Sequence, residues 1–199
     1  MNIIRLLILA VGLLAILHVE AANAGAPQVA GSGCSASNVS MALTQNQTLM
    51  TLSLDGFAVE AGRSFGRRLD RKACQISLPV SVPEGYQVSV SAVSYKGYTS
   101  VPAGGMARVE IETFMGGDKG LHTERVFSSP FDNSHLSGLS ASQEDLQWSA
   151  CGQNFDMKVK TAMLVQSNNR MDSVSTVMNG SDPNAKINFN LQWRKCSKT

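Results

Sequence analysis

Apolar residues recur at every second position along much of this chain. That alternation restricts it to half-buried β-strands. Met50, Leu52 and Leu54 alternate with Thr51, Ser53 and Asp55. Ile76, Leu78, Val80 and Val82 alternate with Ser77, Pro79 and Ser81, and Tyr86, Val88, Val90 and Ala92 alternate with Gln87, Ser89 and Ser91. Ala107, Val109 and Ile111 stand against Arg108, Glu110 and Glu112. Further strands are expected over Leu121–Phe127, from Phe155 through Val165, and over Ile187–Trp193. A strand turns successive side chains to opposite faces, so each run predicts one buried and one wetted surface. No helical period persists over three turns. Pro79 lacks an N–H and predicts an edge position or a bulge. Pro83-Glu84-Gly85 and Asn179-Gly180 read as turns. Lys96–Gly105 reads as a loop, and Ser128–Gln143 as a polar, turn-rich stretch with at most one short helix. Eight or nine short strands without an internal repeat predict a two-sheet antiparallel β-sandwich, Ig-like or jelly-roll-like. A closed barrel is the alternative.

The N-terminal segment carries Arg5, a wholly apolar run over Leu6–Leu17 and the small-residue site Ala22-Asn23-Ala24. This is the pattern of an export signal over residues 1–24, and the apolar run is short for a membrane span, which takes about 20 residues. A secreted or periplasmic address is expected, with no transmembrane segment after processing. Residues 25–33 read as a flexible lead, and residues 34–199 as a single β-sandwich domain, long enough for its own core.

Export places the four cysteines, Cys34, Cys74, Cys151 and Cys196, where disulfides form. Three pairings exist. Cys34–Cys74 and Cys151–Cys196 are favoured, tying early strands together and late strands together. The spacing has no C-x-x-C, which argues against a redox or thiolate zinc site.

The formal net charge of +2 gives no long-range pull towards nucleic acid or anionic membrane. Only 16% of residues are charged, so Ser, Thr, Asn, Gln and Gly cover much of the surface. The one basic cluster, Arg63, Arg67, Arg68, Arg71 and Lys72, is a candidate patch for an anionic surface such as a polysaccharide or lipid head group; a solvated connector is the plainer reading. Tyr95 and Tyr98 flank Gly97 at a strand end and are the better-exposed candidates for facing a ligand such as a sugar. Trp148 is a weaker one, and Trp193 has the strand parity of Phe189 and Leu191 and is expected in the core.

Catalytic groups are sparse. The one G-x-S-x-G match, Gly62-Arg63-Ser64-Phe65-Gly66, is not followed by the helical pattern that a nucleophile elbow needs. Asp132, Ser134 and His135 are close in sequence, but a triad needs convergence in space. His135 and His122 read as solvated loop histidines. Glu110 and Glu112 share one strand face; paired carboxylates do glycosidase chemistry when a sugar lies between them, whereas charge pairing with neighbours such as Arg108 explains them more simply. No catalytic residue, metal or cofactor is assigned. A structural calcium ion, held by the loops at Gly117-Asp118 or Asp132-Asn133-Ser134, is the one alternative considered. Asn38, Asn46 and Asn179 head N-glycan acceptor sequences.

The segments GSGC from Gly31 to Cys34, LSLDGFAVEAG, RRLDRKACQISLPVSVPEGYQVSV, VSYKGY, LQWSACG around Trp148 and Cys151, and NFNLQWRKC ending at Cys196 together resemble the DUF4360 family of secreted proteins of unknown function. The resemblance spans Gly31 to Cys196. It implies a small exported all-β domain with two disulfides, and it supplies no catalytic residues. The expected role is that of a non-enzymatic module, binding or structural, at the cell envelope or outside the cell, with an envelope or extracellular polysaccharide or protein as partner and a glycan among the candidates. A secreted polysaccharide or ester hydrolase, and a secreted inhibitor or effector, are the alternatives.

Overall fold

The structure, a computed structural model, describes residues 26–128, 130–168, 173–176 and 186–197. The expected export segment and the expected Asn179-Gly180 turn, with its candidate glycan acceptor, lie outside the described residues. The described chain forms two antiparallel sheets. One has the order β1 (Gln28–Ala30), β5 (Leu69–Val80), β10 (Phe155–Gln166), β7 (Met106–Met115) and β8 (Asp118–Ser128). The other runs β2 (Val39–Leu43), β3 (Leu49–Leu54), β12 (Ile187–Lys195), β6 (Tyr86–Val101), β11 (Ser173–Thr176) and β4 (Ala58–Ala61), with β9 (Phe131–Ser140) also paired to β6. This is a two-sheet, disulfide-tied β-sandwich.

The alternation places the core as the sequence predicts. Val109 and Ile111 on β7, Met157, Val159, Met163 and Val165 on β10, and Ile76 and Leu78 on β5 face Leu52, Leu54, Val93, Ile187 and Phe189 of the opposite sheet. Each buried Leu, Ile or Met contributes about 1.5–3 kcal/mol through apolar area removed from water. Pro79 pairs with Asp156 of β10, but β1 covers only Gln75–Ser77. Its missing N–H therefore costs no ladder bond on the β1 side.

Both favoured disulfides are present, Cys34–Cys74 and Cys151–Cys196, with sequence separations of 40 and 45. The GSGC segment is knitted to β5 around the first of them. Gly33 N–H donates to Ala73 O at 3.0 Å, and Ala73 N–H donates to Ser32 Oγ at 3.2 Å. A Cβ on Gly31 (φ +139°) would stand 2.2 Å from Ala73 O, and one on Gly33 would meet the buried Phe57 ring at 2.1 Å. Only glycine allows this close approach.

Three expectations need correction. Lys96–Gly105 is not a loop throughout: β6 continues to Val101, because β9 pairs with one edge of it and β12 and β11 with the other. Ladder bonds on both sides outweigh the poor strand propensity of Lys96-Gly97. Ser128–Gln143 contains β9 and no described helix. Its composition is polar because β9 pairs only with β6 and buries little besides His135. Third, Ala92 does not continue the inner face of Val88 and Val90. The register shifts at Asn190/Leu191, leaving Ser91 as an extra residue in β6. Such a bulge flips every later side chain to the other face. From there Val93, Tyr95, Thr99 and Val101 point inward.

Candidate functional site

Where β6 begins and β12 ends, the inner face of the larger sheet opens to solvent. Tyr86 has the inward parity of Val88 and Val90, yet is 38% exposed. Trp193 stands opposite Val88 on β12 and packs partly against the core. Together with Pro83 and Leu191 these rings line a cleft of about 680 Å³, whose remaining wall is Asn46, Gln47, Thr48 and Gln192. Among the described residues, no charged side chain lines it. Trp193 and Leu191 also border a small apolar cavity of about 30 Å³ beside Met41, Leu43 and Met50.

The cleft is held in place by backbone and side-chain hydrogen bonds. The β2–β3 turn is fixed by Asn46, whose Oδ1 accepts from Thr44 Oγ1 at 2.7 Å and Thr48 Oγ1 at 2.9 Å. Gln47 takes a left-handed φ of 55° and its carbonyl accepts from Trp193 Nε1–H at 2.8 Å. Leu191 N–H donates to Thr48 O at 2.8 Å. On the other side, Gly152 N–H donates to Tyr86 O at 2.9 Å and Cys196 N–H to Gly85 O at 2.8 Å. The Cys151–Cys196 bridge thus staples the turn that carries Tyr86. The geometry is preorganised, which lowers the ordering cost of binding.

A second concavity, of about 440 Å³, lies on the outer face of the smaller sheet. Ala73 and Ala162 line it together with Arg71, Lys160, Glu110 and Glu112. The two glutamates share this face as the alternation predicts, and both are engaged: His122 Nε2 lies 3.1 Å from Glu110 Oε1, and Lys119 Nζ lies 3.2 Å from Glu112 Oε1.

Other candidates fall elsewhere. Tyr95 is not exposed: it is 1% accessible, turned inward by the bulge. Burial pushes its phenol up, opposed by Ser137 and Arg125. Tyr98, with the opposite parity, stays at the surface and donates its O–H to Asp132. That bond, foremost, raises its phenol above the usual value. Neither histidine is in a loop. His122 is exposed on β8, and His135 is buried on β9, with Nε2 3.0 Å from Thr99 Oγ1 and its ring 4.3 Å from that of Phe127. Burial, with Arg125 close by, lowers His135 to about 4. Adjacent residues of a strand face opposite ways, so Ser134 and Asp132 point outward while His135 points in. No Asp–His–Ser set is assembled there. Gly117 turns directly into β8, and Asp132–Ser134 lie within β9 rather than in a calcium-binding loop.

The basic cluster is divided by strand parity. Arg71 borders the outer groove, whereas Lys72 on the alternate face is half-buried. Arg67 donates to Glu60 O at 2.7 Å and lies 3.6 Å from Asp70, and Arg63 and Arg68 are exposed before β5. Trp148 is half-buried under the Arg194 guanidinium, 4.0 Å from the ring centre. Sequence reading missed Tyr86 as a ligand-facing ring because its strand parity marks it for the core. The signal that could have found it is its place beside the Pro83-Glu84-Gly85 turn, where cover from the opposite sheet ends.

An uncharacterized secreted protein of Arthroderma benhamiae is 25% identical over 168 residues, 84% of this chain and 69% of that protein. Among solved structures, that of TmCBM61 in complex with β-1,4-galactotriose aligns over 85% of this chain and 88% of its own, at 8% identity and a TM-score of 0.29. The enzymatically active domain of bacteriophage CBA120 tailspike protein 4 aligns over 86% of this chain and 20% of its own, at 8% identity and a TM-score of 0.24. Likenesses this remote carry no weight for ligand or mechanism. The family model for the domain of unknown function DUF4360 matches residues 23–196, and the chain belongs to that family.

Proposed function

We propose that this protein is an exported, non-enzymatic binding module that takes a neutral glycan in the cleft between Tyr86 and Trp193. The observation that carries this reading is the cleft's lining. A sugar ring has apolar C–H faces and a hydroxyl rim. Tyr and Trp offer flat apolar surfaces with polar tips, while Asn46, Gln47, Thr48 and Gln192 supply amides and a hydroxyl. Among the described residues the lining carries no charged side chain, which favours a neutral ligand over a uronate or phosphate. Its volume of about 680 Å³ falls in the range of small-ligand pockets, about 300–1,000 Å³. The half-cystine pairing and the N-terminal segment support export, which N-terminal sequencing of the native protein tests directly.

The test is affinity electrophoresis of the oxidised protein in neutral polysaccharides, followed by calorimetry with oligosaccharides of any that retard it. Tyr86→Ala should weaken binding at least about thirtyfold, the size of a hot-spot residue. Trp193 fluorescence should change on saturation. Retention by no neutral glycan, or equal retention of the Y86A variant, overturns the reading.

A hydrolase reading draws on one specific observation, the placing of Glu110 and Glu112 in the outer groove. A general-acid carboxyl needs surroundings that keep it protonated. Both glutamates instead have cationic or imidazole partners on an open sheet face, so the binding reading is favoured.

A further inference from the structure

The outer face of the smaller sheet gathers a mixed donor set that the sequence spacing conceals. The β7–β8 register sets Glu110 directly opposite Glu124, and Glu112 opposite His122. The side-chain ligand atoms of Glu110, His122 and Glu124 all lie within 4.8 Å of one another. Two carboxylates facing each other across a ladder repel. That repulsion is only partly offset: Arg108 approaches Glu124 at 4.0 Å, and Lys119 is engaged by Glu112 instead.

We propose that Glu110, His122 and Glu124 form a binding site for a divalent transition-metal ion, with zinc the best fit. An imidazole with two carboxylates is a donor set that zinc takes at about 2.0–2.2 Å. Donors around such an ion in a tetrahedron stand roughly 3.5 Å apart, by that bond length. His122 Nε2 and Glu110 Oε1, at 3.1 Å, are already close to that spacing. Rotation of the exposed Glu124 side chain brings in the third donor. Calcium fits poorly, since it takes six to eight oxygens and this set holds an imidazole. Three protein ligands leave a fourth position for water or another oxygen donor. Glu110 also borders the outer groove, so the ion would stand at the groove's rim.

Without a metal the same atoms form a His122–Glu110 hydrogen bond, and the experiment separates the two. Tag-free oxidised protein at neutral pH is titrated with zinc chloride, followed by calorimetry and by the histidine ring signals in NMR. One ion per chain should bind, shifting the His122 signals and leaving those of buried His135 in place. His122→Ala, Glu110→Gln and Glu124→Gln should each weaken binding more than about tenfold, a loss that even outer-shell changes produce at metal sites. Glu84→Gln, on the turn before β6, should leave it unchanged. Acidification should release the ion, because the imidazole must be neutral to bind it. Far-UV circular dichroism of each variant checks that it is folded. No saturable uptake, or uptake that survives His122→Ala in a folded protein, overturns the proposal.

Discussion

Replacing His135 with leucine should make the protein more resistant to acid. His135 is 7% exposed and lies among Phe127, Phe131 and Tyr95, with the Arg125 guanidinium nearby. Its Nδ1 is buried without a partner among the described residues. Burial, more than the Arg125 charge, lowers its pKa to about 4 in the folded protein. The unfolded value is about 6.5. The folded pKa is the lower one, so the neutral ring favours folding fully above about pH 6.5. That advantage is lost as pH falls through the folded pKa, because the unfolded chain takes up the proton first. Over this window the loss reaches about 3 kcal/mol, of which about 2.5 kcal/mol has gone by pH 4.5. Carboxylates titrate over the same range, so the informative quantity is the difference between wild type and variant. At pH 7 H135L should lie within about 1 kcal/mol of wild type, having lost the Thr99 hydrogen bond and gained an apolar side chain. At pH 4.5 it should be the more stable protein by about 2 kcal/mol. With an m-value of about 2 kcal/mol/M, this is a urea midpoint about 1 M higher. Urea unfolding at the two pH values, with the disulfides intact, measures it. Parallel loss of stability in wild type and H135L between pH 7 and 4.5 would refute the reasoning, as would a His135 ring that titrates near 6.5 by NMR.

Two more stability changes follow from the core and the lead-in. Thr161 is 2% exposed on the inner face of β10, and its hydroxyl has no hydrogen-bond partner among the described residues. Thr161→Val keeps the shape and removes the unsatisfied group, so it should stabilise by about 1–2 kcal/mol and raise Tm by about 3–6 °C in a thermal melt. An unchanged or lower Tm would show that the hydroxyl is satisfied in solution. Gly31→Ala puts a methyl 2.2 Å from Ala73 O and should cost about 2–3 kcal/mol. Hydrogen exchange should show the β1–β5 amides losing protection first, and a wild-type melt for G31A would show that β1 is not docked as described.

The strands that could be read in advance are those where alternation survives without interruption. Met50–Leu54, Ala107–Ile111, the run from Phe155 to Val165, and Ile187–Trp193 all lie in strands with the expected inner face. The failures arise where tertiary structure overrides a local signal. Alternation is a local signal, and a single bulged residue at Ser91 reverses it for the rest of β6. Tyr95 therefore reads as an exposed ring and is a core residue. His135 reads as a solvated loop histidine because β9 is polar in composition; only its pairing with β6 turns that one ring inward.

Sequence alone determined that the chain would form antiparallel strands and that Cys34–Cys74 and Cys151–Cys196 were the favoured bridges. Those conclusions rest on side-chain parity, composition and order along the chain, which are properties of neighbours. The cleft was decided by pairing between strands distant in sequence, and the Glu110–His122–Glu124 set by the register of the β7–β8 hairpin. Asn46, Tyr86 and Trp193 meet only because β12 lies between β3 and β6. Which strand lies beside which is settled by the burial of whole sheet faces against each other, a cooperative energy that no single segment carries.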